Sequence, residues 1–230
     1  MFDAAHYHVK ATELLTAFGV HQSALSTWSL SDVGTASQGY IHHSQKPAAL
    51  AAYAAVNPTF AAGRFPGYTL VDLVDKIPSL DYAEYAALAI VCGAELPSFK
   101  GSEERACIFG EAAWANVEKY QLHGCFERHN KPFQAIGDHY SLRPKGCDWA
   151  RDYAEIPEKL TAMRKAYRAM TPLQRVMTLT LMHLYNQGKD NVFLTGGCPT
   201  KILAAEALTI LRDNSALADW GHLVSHYAGW

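Results

Sequence analysis

The sequence predicts a mainly all-α protein built as a small N-terminal unit, residues 1–58, and a larger helical domain, residues 65–230. Three observations lead there. Apolar residues recur at spacings of three and four along most of the chain. Glycine and proline cluster at a few places, above all Asn57-Pro58 and Gly63 to Gly67, where a boundary is expected. The composition, 49% hydrophobic and 18% charged, can bury a sizeable core, which excludes a disordered chain.

The elements are expected in this order. Residues 11–18 form a short helix ending near Gly19, and residues 22–30 a second. Residues 33–43 are rich in Gly, Ser and Thr and then turn strand-like at Tyr40 and Ile41, which reads as a short β-ribbon. Ser44 can cap, and Pro47 begin, an alanine-rich helix to about Val56. Helices follow at about 69–77, 81–93 and 103–122, the last with Ala106, Phe109, Ala113, Val117 and Tyr120 on one face. Residues 123–147 are expected to be irregular.

The C-terminal third reads as helices again. Leu160, Met163, Tyr167 and Met170 form one apolar stripe. Thr171-Pro172 opens a helix carrying Val176, Met177, Leu181 and Leu184. Val192 to Leu194 suggest a short extended piece. Gly196-Gly197-Cys198-Pro199 is expected to open a helix with Ile202 and Leu208, and Leu217, Trp220 and Leu223 mark the last one.

Charge and cysteine content narrow the function. The formal net charge is −2, which argues against strong non-specific binding to nucleic acid, because phosphate contacts need Lys and Arg. Five cysteines, an odd number without a regular framework, point to free thiols and a reducing, cytoplasmic setting. No apolar run reaches the roughly 20 residues that span a bilayer, so no membrane association is expected. Five of the eleven histidines, His6, His8, His21, His42 and His43, fall in the first 43 residues and can add positive charge as the pH falls.

The stretch TELLTAFGVHQSALSTW, residues 12–28, carries the most specific pattern. Gly19 suits a left-handed turn between two short helices. Leu14, Leu15, Phe18 and Val20 can lock them, with Leu25 and Trp28 inward on the second. That leaves His21, Gln22, Ser23, Ser26 and Thr27 as short polar groups for base edges or phosphates, with Lys10 and Lys46 nearby. Phe18 to Ser26 resembles the turn and recognition helix of Cro-type repressors. The order motif, ribbon, helix is similar to MerR and excisionase-like winged helix-turn-helix domains. The resemblance covers about 56 residues of the chain. It implies double-stranded DNA as partner, a homodimer, and a transcriptional regulator of a phage or other mobile element. Leu15 stands where that family usually has alanine, and Thr27 where a basic residue is common. Residues 1–56 hold only Lys10 and Lys46 against Asp3, Glu13 and Asp32, so weak or dimer-dependent binding is expected.

Other constellations compete with plain structural roles. Residues 143–175 hold eight basic and four acidic side chains, a local charge of +4. Within them Arg164, Lys165 and Arg168 can form a second basic surface or simply a solvated helix face. His123, Cys125, His129, His139 and Cys147 could hold zinc, but their spacing matches no standard module. His222 and His226 lie four apart without an adjoining glutamate. Cys198, at an expected helix start, could act with His183 as an activated thiol or merely follow a glycine turn. Trp114, Trp149, Trp220 and Trp230 read as core or interface residues. No phosphate-binding loop, dinucleotide fingerprint or nucleophile elbow occurs, and no cofactor is expected. Two further readings stay open: a protein-binding inhibitor or adaptor, such as an anti-defence protein whose helical domain blocks a partner complex, and an enzyme built on Cys198 or the His/Cys loop.

Overall fold

A computed structural model describes residues 4–17, 19–24, 27–30, 67–97, 102–128, 142–148, 151, 154–185 and 193–229. These residues are mostly helical, as the apolar spacing predicts. Helix α1 (Ala4–Ala17) starts well before the expected position. Its Ala11 and Leu15, one turn apart, are buried, with Tyr7 and Leu14 packed against the core. It ends where Gly19 takes a left-handed φ of 73° and returns its N–H to Thr16 O at 2.9 Å.

The expected second helix over 22–30 does not form. The chain makes an antiparallel hairpin, β1 (Val20–Ala24) with β2 (Thr27–Leu30), pairing Val20 with Leu30, His21 with Ser29 and Gln22 with Trp28. The reason is legible afterwards. Val20, Thr27 and Trp28 favour strands, and serines at 23, 26 and 29 compete with helical backbone bonds. The expected ribbon at 33–43, the helix from Ser44 to Val56 and the boundary up to Pro66 lie outside the described residues.

Helix α2 (Leu70–Val74) is opened by a capping box. Thr69 N–H donates to Asp72 Oδ2 at 2.8 Å, and Asp72 N–H to Thr69 Oγ1 at 3.2 Å. Pro78 gives a 3₁₀ turn (Ile77–Ser79) instead of a continued helix. Helix α3 (Tyr82–Cys92) has the same box from Asp81 and Glu84 and stops at Gly93, φ 70°. It is buried on nearly every side, because α1 packs on it and so does α8 (Leu217–Ser225) from the far end of the chain. Gly221 of α8 makes that contact close: a Cβ there would overlap Cys92 Cβ and stand 3.3 Å from Ala94 Cβ.

Helix α4 (Ser102–Lys119) buries Phe109, Ala113 and Val117 as predicted and packs on α8. The region expected to be irregular contains short strands. β3 (Phe126–Arg128) pairs with β4 (Leu142–Pro144), and β5 (Cys147–Asp148) with β6 (Ala154–Glu155). Helix α5 (Pro157–Ala169) buries the expected stripe of Leu160, Met163 and Tyr167, and Met170 caps its end.

Helix α6 (Pro172–Tyr185) is opened by Thr171 and Gln174, each accepting from the other's backbone N–H at 3.3 and 2.9 Å. It buries every residue from Val176 to Met182 and contacts both α2 and α7 (Ala204–Asp213). Two expectations on the way to α7 are corrected. Phe193 and Leu194 lie in a turn, and the glycine pair at 196–197 opens no helix. Both glycines take left-handed φ values, 67° and 77°, which send the chain on extended to a β-bridge between Thr69 and Leu203 before α7 begins. Leu70 N–H to Ile202 O and Ala204 N–H to Tyr68 O, at 2.8 and 2.9 Å, close that bridge. One continuous core runs from Ala11 to Tyr227, with Trp220, Tyr167 and Phe109 its largest fully buried side chains.

Candidate nucleic-acid interface

The hairpin after α1 collects most of the residues expected at DNA. His21, Gln22 and Ser23 fall in β1 and Thr27 in β2, while Lys10 is exposed on α1. Ser26 and Lys46 lie outside the described residues. Their shared setting is a two-stranded ribbon rather than a recognition helix, and the irregular register between Gln22 and Ala24 adds a local kink.

The second basic group sits on α5. Lys165 lies opposite the buried stripe and Arg168 on its flank, both exposed, while Arg164 borders the stripe and is half-buried. Three side chains of this helix hold the loop from Phe193 to Pro199. Arg164 Nε donates to Phe193 O at 3.0 Å, Arg168 Nη2 to Gly196 O at 2.5 Å, and the Tyr167 hydroxyl to Pro199 O at 2.9 Å. Arg175, from the first turns of α6, donates to Arg168 O at 2.7 Å. Cationic groups bonded to backbone carbonyls keep their charge, because the carbonyl is neutral. Among the described residues, Lys165, Arg168 and Arg175 have no carboxylate within ion-pair distance.

An open cleft of about 580 Å³ lies beside the Thr69–Leu203 bridge. Thr69, Asp72, His183, Thr200 and Lys201 line it. His183 Nδ1 faces Asp75 Oδ1 at 3.3 Å. Asp72 is already engaged by the capping box, and its carboxylate also accepts the Thr69 hydroxyl at 2.7 Å. Sequence reasoning missed the His183–Asp75 contact, since 108 residues separate the partners. The Thr69-x-x-Asp72 capping signature was readable.

Cys198 and His183 do not meet in this cleft, which leaves Cys198 its glycine-turn reading. His183 lines it, whereas Cys198 lies near Cys125 and Tyr167. Nor does Cys198 stand at a helix N-terminus, because α7 starts six residues later. Cys125 is buried, its thiol 3.8 Å from Met163 O, and burial pushes its pKa up to about 12. That is the reverse of an activated thiol.

His123 and His226 also take structural places. His123 stacks edge-on against Trp114 at 5.7 Å. His129 and His139 lie outside the described residues. Among the described residues no group of three His, Cys, Asp or Glu side chains converges for a metal. His226 is buried with Nδ1 2.8 Å from His222 O, and burial lowers its pKa to about 4. Trp220 lies in the core and Trp114 at its margin; Trp149 and Trp230 lie outside the described residues. Among the described residues no helix is long and apolar enough to cross a membrane. No protein-family model, curated protein or solved structure matches the chain.

Proposed function

We propose that the chain is a sequence-specific DNA-binding protein, a transcriptional regulator of a phage or other mobile element, that meets double-stranded DNA as a homodimer. The observation that carries the reading is the gathering of His21, Gln22, Ser23 and Thr27 on one antiparallel hairpin directly after α1. A two-stranded ribbon has the width to enter the major groove, and Gln and Thr can read base edges there. In a winged domain the same form serves as the wing.

The charge of the segment sets the strength of the contact. With Lys10 and Lys46 against three acids in residues 1–56, one copy neutralises few phosphates. Two copies on adjacent half-sites supply the affinity that one lacks. Five of the eleven histidines fall in the first 43 residues, so tighter binding is expected at pH 6 than at pH 8.

The test is fluorescence anisotropy with duplexes from upstream of the chain's own gene, using wild type and Gln22→Ala/Thr27→Ala at pH 6 and pH 8. Saturable binding that the double variant loses by about tenfold or more supports the reading, at ~1–3 kcal/mol per base contact. Equal binding by both proteins removes the hairpin from the interface. Equal affinity at the two pH values removes the histidine contribution.

A further inference from the structure

We infer that the cleft beside the Thr69–Leu203 bridge binds a small aliphatic zwitterion, an amino acid or a short peptide. Its ammonium group meets Asp72, and its carboxylate meets Lys201 and Thr200. The inference goes beyond the DNA-binding reading and does not depend on it. The fold explains why these residues share one cleft. In an antiparallel bridge, the residues after Thr69 and those before Leu203 run to the same end. Asp72 follows Thr69 by three positions, and Thr200 and Lys201 precede Leu203 by three and two. The bonds from Leu70 N–H to Ile202 O and from Ala204 N–H to Tyr68 O fix the two segments to each other. The site is therefore held in place before a ligand arrives, which lowers the ordering cost of binding.

The polar groups of the cleft select the ligand. Asp72 Oδ2 accepts both the Thr69 N–H, at 2.8 Å, and the Thr69 hydroxyl, at 2.7 Å, while Oδ1 stays available as an acceptor. Among the described residues, the Lys201 ammonium forms no ion pair and the Thr200 hydroxyl no hydrogen bond. Asp75, the neighbouring acid, is turned to His183 Nδ1 at 3.3 Å. The cleft thus lines up one carboxylate oxygen, one ammonium and one hydroxyl, and its two charges do not pair with each other. A solute carrying both charges satisfies both sides through charge-assisted hydrogen bonds. A lone anion would meet Asp72, and a lone cation Lys201, as a like charge. Half-buried Val71 and buried Leu194 add an apolar wall that suits an aliphatic side chain. The volume, about 580 Å³, lies within the range of small-molecule sites.

The experiment is isothermal titration calorimetry on the full-length protein without DNA, so its outcome is separate from that of the hairpin reading. The probes are L-leucine and glycyl-L-leucine, beside L-leucinamide, which lacks the carboxylate, and 4-methylpentanoate, which lacks the ammonium. Wild type is compared with Lys201→Met, Asp72→Asn and, as a control outside the cleft, Lys165→Met, with melting temperatures alongside. Lys201 and Lys165 are exposed, so unchanged melting is expected for both. Asparagine at 72 keeps an oxygen for the Thr69 N–H, and if that variant melts early, Lys201→Met decides alone. At least one zwitterion is expected to bind saturably with a dissociation constant of about 1 mM or tighter. Each single-charge analogue should bind about tenfold more weakly or worse, Lys201→Met and Asp72→Asn should each lose about tenfold, and Lys165→Met should match wild type. Tighter binding of the dipeptide identifies a peptide site, and tighter binding of leucine a free amino-acid site. No heat from either zwitterion up to about 20 mM overturns the inference. So does equal binding by wild type and Lys201→Met, or 4-methylpentanoate binding as tightly as leucine, which would mark a plain anion site.

Discussion

The indole N–H of Trp220 donates to Thr180 Oγ1 at 2.9 Å inside the core, and that hydroxyl in turn donates to Val176 O at 2.9 Å. Both side chains are fully buried, and 40 residues separate them. The bond joins α8 to α6 through two polar groups that would each be costly to leave alone. Thr180→Val keeps the shape and orphans the indole donor, so it should cost ~1–3 kcal/mol. Trp220→Phe should cost more, because it also leaves a cavity. In urea unfolding, the Thr180→Val/Trp220→Phe double variant should lose less than the sum of the two, by ~0.5 kcal/mol or more. Strict additivity would show that the two residues do not interact.

Histidine at 226 makes the fold sensitive to acid. Burial is the largest cause of its lowered pKa, about 4, with the nearby Arg105 and His222 acting in the same direction and the His222 carbonyl and Glu95 opposing. The folded pKa lies below the unfolded value of about 6.5. The unfolded chain therefore binds the extra proton between pH 6.5 and 4, and stability falls as the pH drops through that window. The slope from this one group is at most about 1.4 kcal/mol per pH unit, flattening below pH 4. Melting curves from pH 7 to pH 4 should show a shallower decline for His226→Gln than for wild type. Parallel curves would assign the acid response to other groups.

A methyl group at 221 should be poorly tolerated. Gly221→Ala forces α8 away from Cys92 and Ala94 of the α3 end, and neither obstacle is the flexible tip of a long side chain. The expected loss is ~1–3 kcal/mol. Gly67→Ala is the control, since a Cβ there meets nothing within 4 Å. Equal melting temperatures for the two variants would contradict the close α3–α8 approach.

Thiol reactivity should divide the five cysteines. Burial raises the pKa of Cys92 and Cys125 to about 12 and also raises that of Cys147, and all three are buried. Cys107 and Cys198 are partly exposed. Two equivalents of a thiol reagent should react quickly at pH 8, and three only on unfolding. Mass mapping that finds Cys92 or Cys125 among the fast sites would contradict the burial.

Helix α5 was legible almost whole. Its stripe of Leu160, Met163, Tyr167 and Met170 sets the buried face, and the same periodicity puts Lys165 and Arg168 outside. The capping boxes of Thr69 and Asp81 were likewise written locally, three residues from their partners. The glycine pair at 196–197 misled, because a turn that favours glycine can lead to a helix or to an extended segment. Here the long-range bridge to Thr69 decided for the latter.

By itself, the sequence determined where apolar faces repeat, where helices can be capped, and how charge is distributed, since these depend on neighbours within one or two turns. The tertiary structure decided the pairing of residues 20–24 with 27–30, where strand-favouring Val20, Thr27 and Trp28 outweigh the apolar spacing that had suggested a helix. It alone decided the meeting of His183 with Asp75 and of Trp220 with Thr180. Such pairings join residues 40 to 108 positions apart, and they arise only when packing brings distant helices to one place.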